Sequence, residues 1–176
     1  MVGAAQFQGR MWVLQAPIPH LPLPAVLDFE DLDLGERVAI ALGVMACLAE
    51  LEAAKVALGG VAARHVGLDG AGQVMLTSPW RRAAGGGAAA LRESAPLLAE
   101  ALGMGASTGP QLTVAEREVP GLAAVVRGLH RGSERRAADA LVAIREAAGI
   151  FGRQIVIVAS RGRLADRVRA ALGDPE

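Results

Sequence analysis

One long apolar segment constrains the fold of this chain more than any other feature. Between Gly35 and Ala54, apolar residues recur at three- and four-residue spacing, and other apolar residues between them widen the stripe. The spaced positions are Val38, Leu42, Met45, Leu48 and Leu51. A helix that is apolar around most of its circumference must be surrounded by other elements. The sequence therefore predicts a central helix from Gly35 to Ala54.

The remaining segments predict shorter helices and a small number of strands. Helical spacing indicates further helices at Ala88–Leu102, Pro120–Leu129, Ser133–Ala148 and Arg163–Leu172. Runs of β-branched and other apolar residues indicate strands at Arg10–Ala16 and Gln154–Ala159. The segment Val66–Thr77 is typical of a hairpin, because the glycines of Asp69-Gly-Ala-Gly72 permit the positive φ that tight turns need. We therefore expect a mainly α (α+β) fold.

Two polar or proline-rich segments precede the central helix. Four prolines between Pro17 and Pro24 forbid a helix and predict an extended connector. An acidic run follows, made up of Asp28, Glu30, Asp31 and Asp33. Without a glycine among these residues no EF-hand loop can form, so we expect a solvated surface and not a metal site.

Length and composition favour one soluble domain over residues 1–176. A chain of 176 residues with 52% apolar residues is long enough for one core and short for two. The segment Val38–Ala49 is too short to cross a bilayer at a rise of about 1.5 Å per residue, and no basic and then apolar leader stands at the start. The expected location is the cytoplasm, with no membrane association.

Several kinds of ligand are disfavoured by residue counts. The chain has 18 basic and 18 acidic residues and only 3% aromatic residues, so both a basic footprint and stacking platforms for nucleic acid are weak. Cys47 is the only cysteine and is expected to be a small core residue. The three histidines are far apart and lack ligands at metal spacing, so we expect no metal and no cofactor.

The order of elements resembles the C-terminal lobe of the protein kinase family. The predicted helix ending in Ala49-Glu-Leu-Glu52 is similar to the helix that leads into the kinase catalytic loop. The segment Val66-Gly-Leu-Asp-Gly-Ala-Gly-Gln-Val-Met-Leu-Thr77 resembles the hairpin that many bacterial kinases write as V-L-L-D-x-x-G-x-V-x-L-T. The segment Leu122–Arg135, followed by Ala137–Leu141, is similar to the end of that lobe. The resemblance covers residues 11–148 and leaves 149–176 as a strand and helix extension.

The resemblance implies that the kinase catalytic groups are missing. Aligned through the hairpin, the H-R-D triplet falls on Leu58, Gly59 and Gly60, and the D-F-G triplet on Ser78, Pro79 and Trp80. The catalytic-loop lysine and asparagine fall on Ala62 and His65. Phosphoryl transfer needs a positioned nucleophile and metal ions that neutralise phosphate charge, and both supports are absent at these positions.

Two further departures point the same way. No Gly-rich loop and no V-A-I-K strand precedes Met11, and about ten residues between Trp80 and Ala90 leave no room for an activation segment. We therefore expect no enzyme activity, a loop over Leu58–Arg64 that serves only as a connector, and a pseudokinase-like scaffold or regulatory adaptor that binds another protein. The alternative is a small-molecule-binding or hydrolytic α+β domain unrelated to kinases.

The two isolated strands suggest where such a partner binds. A single strand is unstable without a neighbour, so Met11–Leu14 is expected to pair with Ile155–Val158, within one chain or between two chains of a homodimer. A free edge of that sheet, with the arginines of the last helix beside it, would then meet a protein partner. The candidate partner-binding residues are Met11, Trp12, Val13, Ile155, Val156, Ile157, Arg163 and Arg167.

Overall fold

The computed structural model is mainly helical. It describes residues 2–7, 10–15, 18–55, 60–77, 87–104, 120–132 and 136–173, and the side chains of these except at 2–7, 10–15, 87, 120 and 150–156. These ranges contain six α-helices, a two-stranded sheet and a three-stranded sheet, both antiparallel. The predicted class, mainly α with a small β component, is confirmed.

The predicted central helix is present as α2, Leu34–Ala53. A reciprocal capping box starts it: Oδ1 of Asp33 accepts the N–H of Glu36 at 2.7 Å, and Oε2 of Glu36 accepts the N–H of Asp33 at 2.9 Å. Eight of its apolar residues are buried, namely Val38, Ala39, Ile40, Ala41, Leu42, Val44, Met45 and Leu48. Because apolar side chains point in nearly every direction, several elements can pack around this one helix.

The predicted hairpin is also present and belongs to a three-stranded sheet. Strand β4, Val66–Asp69, pairs with β5, Val74–Leu76, and Oδ1 of Asp69 accepts the backbone N–H groups of Ala71 and Gln73 in the turn. Strand β3, His20–Pro22, pairs with the other edge of β4. Helix α2 packs against β5 of this sheet.

The proline-rich connector is only partly extended. Its last residues form β3, and helix α1, Leu23–Leu27, begins directly afterwards with Pro24 in its first turn. The expectation that these prolines forbid a helix was therefore wrong at Leu23. A proline is tolerated at the start of a helix because the first N–H groups have no intrahelical acceptor.

Three helices after the hairpin lie close to their predicted positions. They are α3, Gly87–Ala101; α4, Pro120–Arg131; and α5, Ala137–Ala147. Helix α3 continues through Pro96. Helices α3 and α5 both pack against α2 and α4. The core therefore lies between α2 and these helices.

The C-terminal prediction of a strand was wrong. Residues Ile150–Leu172 form one helix, α6, so Ile155–Val158 is helical. The β-branched run has only a weak intrinsic preference against helix, and side chains at helical spacing pack onto the core, with Leu164 and Val168 buried and Ile157 half-buried. Helix α6 packs against α2, α5, β3 and β4.

The expected pairing of the two terminal strands was wrong for the same reason. Arg10–Gln15 is indeed a strand, β2, but its antiparallel neighbour is β1, Val2–Phe7, with Ala5 opposite Trp12 and Gln6 opposite Met11. A strand over residues 2–7 was not predicted. The predicted terminal sheet is therefore absent from this chain, and the dimer form predicted through it has no support, because Ile155–Val158 is helical.

Candidate functional site

The candidate site is the loop between α2 and the β4–β5 hairpin, where the resemblance would place kinase chemistry. We call residues 60–65 the connecting loop. Gly60 donates its N–H to Oε2 of Glu93 at 2.8 Å. A Cβ on Gly60 would lie 2.3 Å from Cβ of Glu93 and 2.7 Å from its Oε2. Glu93 of helix α3 therefore occupies the space into which a side chain at position 60 would extend.

A second amide of the connecting loop is bound in the same way. Val61 donates its N–H to Oγ of Ser94 at 3.0 Å, and that hydroxyl donates to the carbonyl of Ala90 at 2.8 Å. Ser94 and Val61 are both buried. Two consecutive residues of α3 thus bind two consecutive loop amides. The sequence predicts only a connector here, whereas the structure fixes this loop to a helix.

His65 links the connecting loop to the hairpin. It ends a short 3-10 turn, Ala63–His65, and its Nδ1 accepts the N–H of Ala62 at 3.3 Å. Its backbone carbonyl accepts the N–H of Thr77 at 2.9 Å. With Nδ1 as an acceptor, a neutral imidazole carries its proton on Nε2. The contacts of His65 are therefore those of a residue that positions the chain.

The remaining kinase-aligned positions give no further geometry. Leu58, Gly59, Ser78, Pro79 and Trp80 lie outside the residues that the structure describes. Among the residues that it does describe, no group of three or more His, Cys, Asp or Glu side chains could hold a metal ion.

A second set of polar side chains lies where α6 packs against the start of α2. We call Asp33, Glu36, Ser160, Arg163 and Arg167 the charged cluster. Arg163 pairs with Asp33, and Nη1 of Arg167 lies 3.3 Å from Oε2 of Glu36. Two of the predicted partner-binding arginines therefore already contact carboxylates of their own chain.

Arg167 has two additional contacts in its own chain. Its guanidinium lies 5.0 Å from the ring centroid of Phe29 and donates to the carbonyl of Glu30. A cation over an aromatic ring is stabilised by the ring quadrupole. All four residues of the acidic run, Asp28, Glu30, Asp31 and Asp33, are exposed, as predicted, and Asp33 also pairs with Arg163.

Glu36 is the least expected member of the charged cluster. It is only 2% exposed, although glutamate is rarely buried without a partner. Its Oε2 accepts from Asp33 and Arg167, but in the described part of the chain no group donates to its Oε1. The signal that could have identified Glu36 was the capping-box spacing Asp33-x-x-Glu36, which places both side chains at the start of a helix.

Two ionisable groups have displaced pKa values. Partial burial acts to raise the pKa of Asp33, but hydrogen bonds from the Glu36 amide and from Arg163, together with the charge of Arg163, outweigh it, and the pKa is lowered. Burial, and then the charge of Glu50, raise the pKa of the Cys47 thiol. Sγ of Cys47 lies 3.4 Å from the carbonyl oxygen of Val74, and the residue is half-buried. The thiol therefore stays protonated at neutral pH.

The structure separates the other predicted partner-binding residues. Met11, Trp12 and Val13 lie in β2, and Ile155, Val156 and Ile157 lie in α6. Only Ile157 of these has a described side chain, which is half-buried against the core. The residues do not share a sheet.

Comparison with known proteins adds no relative to these observations. The chain matches no family model, no curated protein and no solved structure. None of the described helices is long and apolar enough to cross a membrane. The connecting loop and the charged cluster are therefore the features of this chain that bear on its function.

Proposed function

We propose that this chain is a non-catalytic scaffold or regulatory adaptor with a kinase C-lobe-like arrangement, and that it binds another protein in the cytoplasm. The chain order of α2, connecting loop and β4–β5 hairpin is compatible with that arrangement. No nucleotide, metal or membrane is needed for the proposed role.

The contact between Gly60 and Glu93 is the observation that carries the proposal. Under the kinase alignment, position 60 would hold the carboxylate that accepts the proton of the attacking hydroxyl. Here that position has no side chain, and its amide is bound by α3. Restoring an aspartate would force its Cβ to within 2.3 Å of Cβ of Glu93, which is too close for two carbon atoms.

The binding of Val61 to Ser94 supports the same conclusion. A catalytic loop must present polar groups to a substrate, yet the connecting loop directs consecutive amides into a helix of its own chain. His65, at the position of the catalytic-loop asparagine, likewise binds local backbone groups. These contacts are those of a structural loop, and a structural loop suits a protein that acts through binding.

A thermal-shift measurement tests this proposal. The full chain is heated with ATP, ADP or GTP, each with and without Mg²⁺, and with Mg²⁺ alone as the control. A ligand that binds the folded state must raise the apparent Tm. We expect no nucleotide to do so. A Tm that rises only with nucleotide and Mg²⁺ together would show that the site retains kinase-like binding and would overturn the proposal.

The same measurement distinguishes the proposed adaptor from the alternative, a small-molecule-binding or hydrolytic domain. A panel of metabolites without Mg²⁺ is added under identical conditions. A saturable rise in Tm with one of these compounds would favour the alternative, because an adaptor that binds only proteins offers it no site.

A further inference from the structure

The contact between α2 and α6 differs in kind from the other helix contacts of the described core. Among the described residues, the buried polar or charged side chains are Glu36, Ser94 and Ser160. Two of the three lie in the charged cluster, on facing sides of α2 and α6. Ser94, by contrast, binds two backbone groups and leaves no polar atom unpaired.

This contact is close but incompletely satisfied. A Cβ on Gly35 would lie 2.3 Å from Oγ of Ser160, so the two helices approach closely at that point. Beside it, Oε1 of Glu36 is buried without a donor from the described residues. A buried carboxylate oxygen that lacks a donor is destabilising, and water would hydrate it if α6 moved away. Hydration of Oε1 of Glu36 would therefore offset part of the free energy that is lost when the contacts of α6 break.

The part of α6 whose side chains are described, residues 157–172, buries three apolar side chains, Leu164, Ala165 and Val168, whereas α2 buries eight. Ala165 packs against the hairpin turn, where a Cβ on Gly72 would lie 3.2 Å from Cβ of Ala165. Arg169 also donates to the carbonyl of Gly70 at 3.3 Å.

A junction suited to rotation joins α6 to the rest of the fold. Gly149, between α5 and α6, has φ of +63°, and a Cβ built there would have no heavy atom of another described residue within 4 Å. The backbone can change direction at such a residue without moving a neighbouring side chain.

From these observations we propose that α6 is a releasable strap. It opens about the α5–α6 junction as a unit, before the rest of the core unfolds, and uncovers the start of α2 and the β4–β5 turn. The inference does not depend on the proposed adaptor role, because it concerns the relative stability of two elements of the fold.

Native-state hydrogen exchange of the full chain, read by mass spectrometry over a series of low guanidinium concentrations, tests the strap. Amides of residues 160–172 should exchange at least about tenfold faster than those of residues 38–48, through an opening whose rate rises with denaturant. Equal exchange in both segments would show that α6 opens only with the whole protein. Fast exchange that is independent of denaturant would show local fluctuation. Either result would overturn the proposal.

Two variants on the same helix sharpen this test. Arg167→Ala removes the partner of buried Glu36 and should accelerate exchange of residues 160–172 by about tenfold more than that of residues 90–101 in α3. Arg161→Ala, which removes an exposed arginine of α6 whose side chain bonds to no described residue, is the matched control and should change exchange in α6 far less. Equal acceleration of α3 and α6 by Arg167→Ala contradicts a separate strap. If that variant does not fold, the wild-type exchange profile decides the question.

Discussion

The two polar contacts of this fold hold their segments by different means. The connecting loop is bound to α3 by backbone amides that donate to Glu93 and Ser94, so one partner in each bond is the neutral main chain. Helix α6 is bound to α2 by arginines that face carboxylates. A bond from a neutral amide to a carboxylate or a hydroxyl involves at most one charged group, so salt screens it less than it screens a pair of opposite charges. We therefore expect added salt to weaken the contact of α6 with α2 more than the contact of the connecting loop with α3.

The largest expected effect tests the charged side of this comparison. Arg167→Ala should lower the free energy of unfolding by about 3 kcal/mol, because it leaves the carboxylate of Glu36 buried and unpaired. Arg161→Ala is the control, and the loss of this exposed side chain should lower that free energy by less than about 0.5 kcal/mol. Urea unfolding followed by circular dichroism measures both. Similar losses in the two variants would mean that burial of Glu36 does not govern the contact.

A smaller effect is expected on the neutral side. Gly60→Ala should lower the free energy of unfolding by about 2 kcal/mol, because the new Cβ would overlap Cβ of Glu93, which belongs to the base of its side chain and cannot easily move.

The matched control for that variant is Gly162→Ala in α6. Within the described part of the chain, a Cβ at position 162 meets no heavy atom within 4 Å outside its own helix backbone, so alanine should raise stability by about 0.5–1 kcal/mol through its better helix propensity. Urea unfolding of the two variants gives opposite signs if the connecting loop is packed as described. A neutral or stabilising result for Gly60→Ala would contradict the contact with α3.

The smallest expected effect concerns acid. The pKa of Asp33 is lowered in the folded protein. The contribution of Asp33 to stability is therefore complete above the pKa of the unfolded chain, which is about 4, and is lost as pH falls through the lower pKa of the folded protein. Asp33→Asn should therefore lose less stability than the wild type between about pH 5 and pH 3. Urea midpoints at a series of pH values measure this difference. Identical acid dependence in both proteins would remove Asp33 from the explanation.

Elements that depend on local pattern could be predicted from the sequence. Helix α2 follows from apolar spacing, and the β4–β5 hairpin from a turn whose glycine at position 72 has φ of +70°. The strand predicted at Ile155–Val158 was wrong, because this run belongs to a helix whose later residues, such as Leu164 and Val168, are buried in the core. Local propensity is weak enough for such packing to override it.

The candidate site was predictable only in part. The absence of a side chain at position 60 is visible in the sequence, but the presence of Glu93 beside it is not, since 33 residues separate them. The ion pair of buried Glu36 was likewise hidden, because its partner Arg167 lies 131 residues away. Contacts between distant segments follow from tertiary packing, and no pattern within one segment encodes them.

The first turn of α5 illustrates what such distant contacts imply for folding. Helix α5 has no side-chain cap from its own N-cap residue, Arg136; instead Oε2 of Glu52, near the end of α2, accepts the N–H of Ala137 at 2.8 Å across 85 residues. A cap from within the helix would be available as soon as the helix formed. Here the acceptor arrives only after a long loop has closed, at an entropic cost that grows with loop length. The N-terminus of α5 is therefore completed late, after α2 and α5 have met. It looks like a local feature of one helix, but it depends on a contact between distant segments.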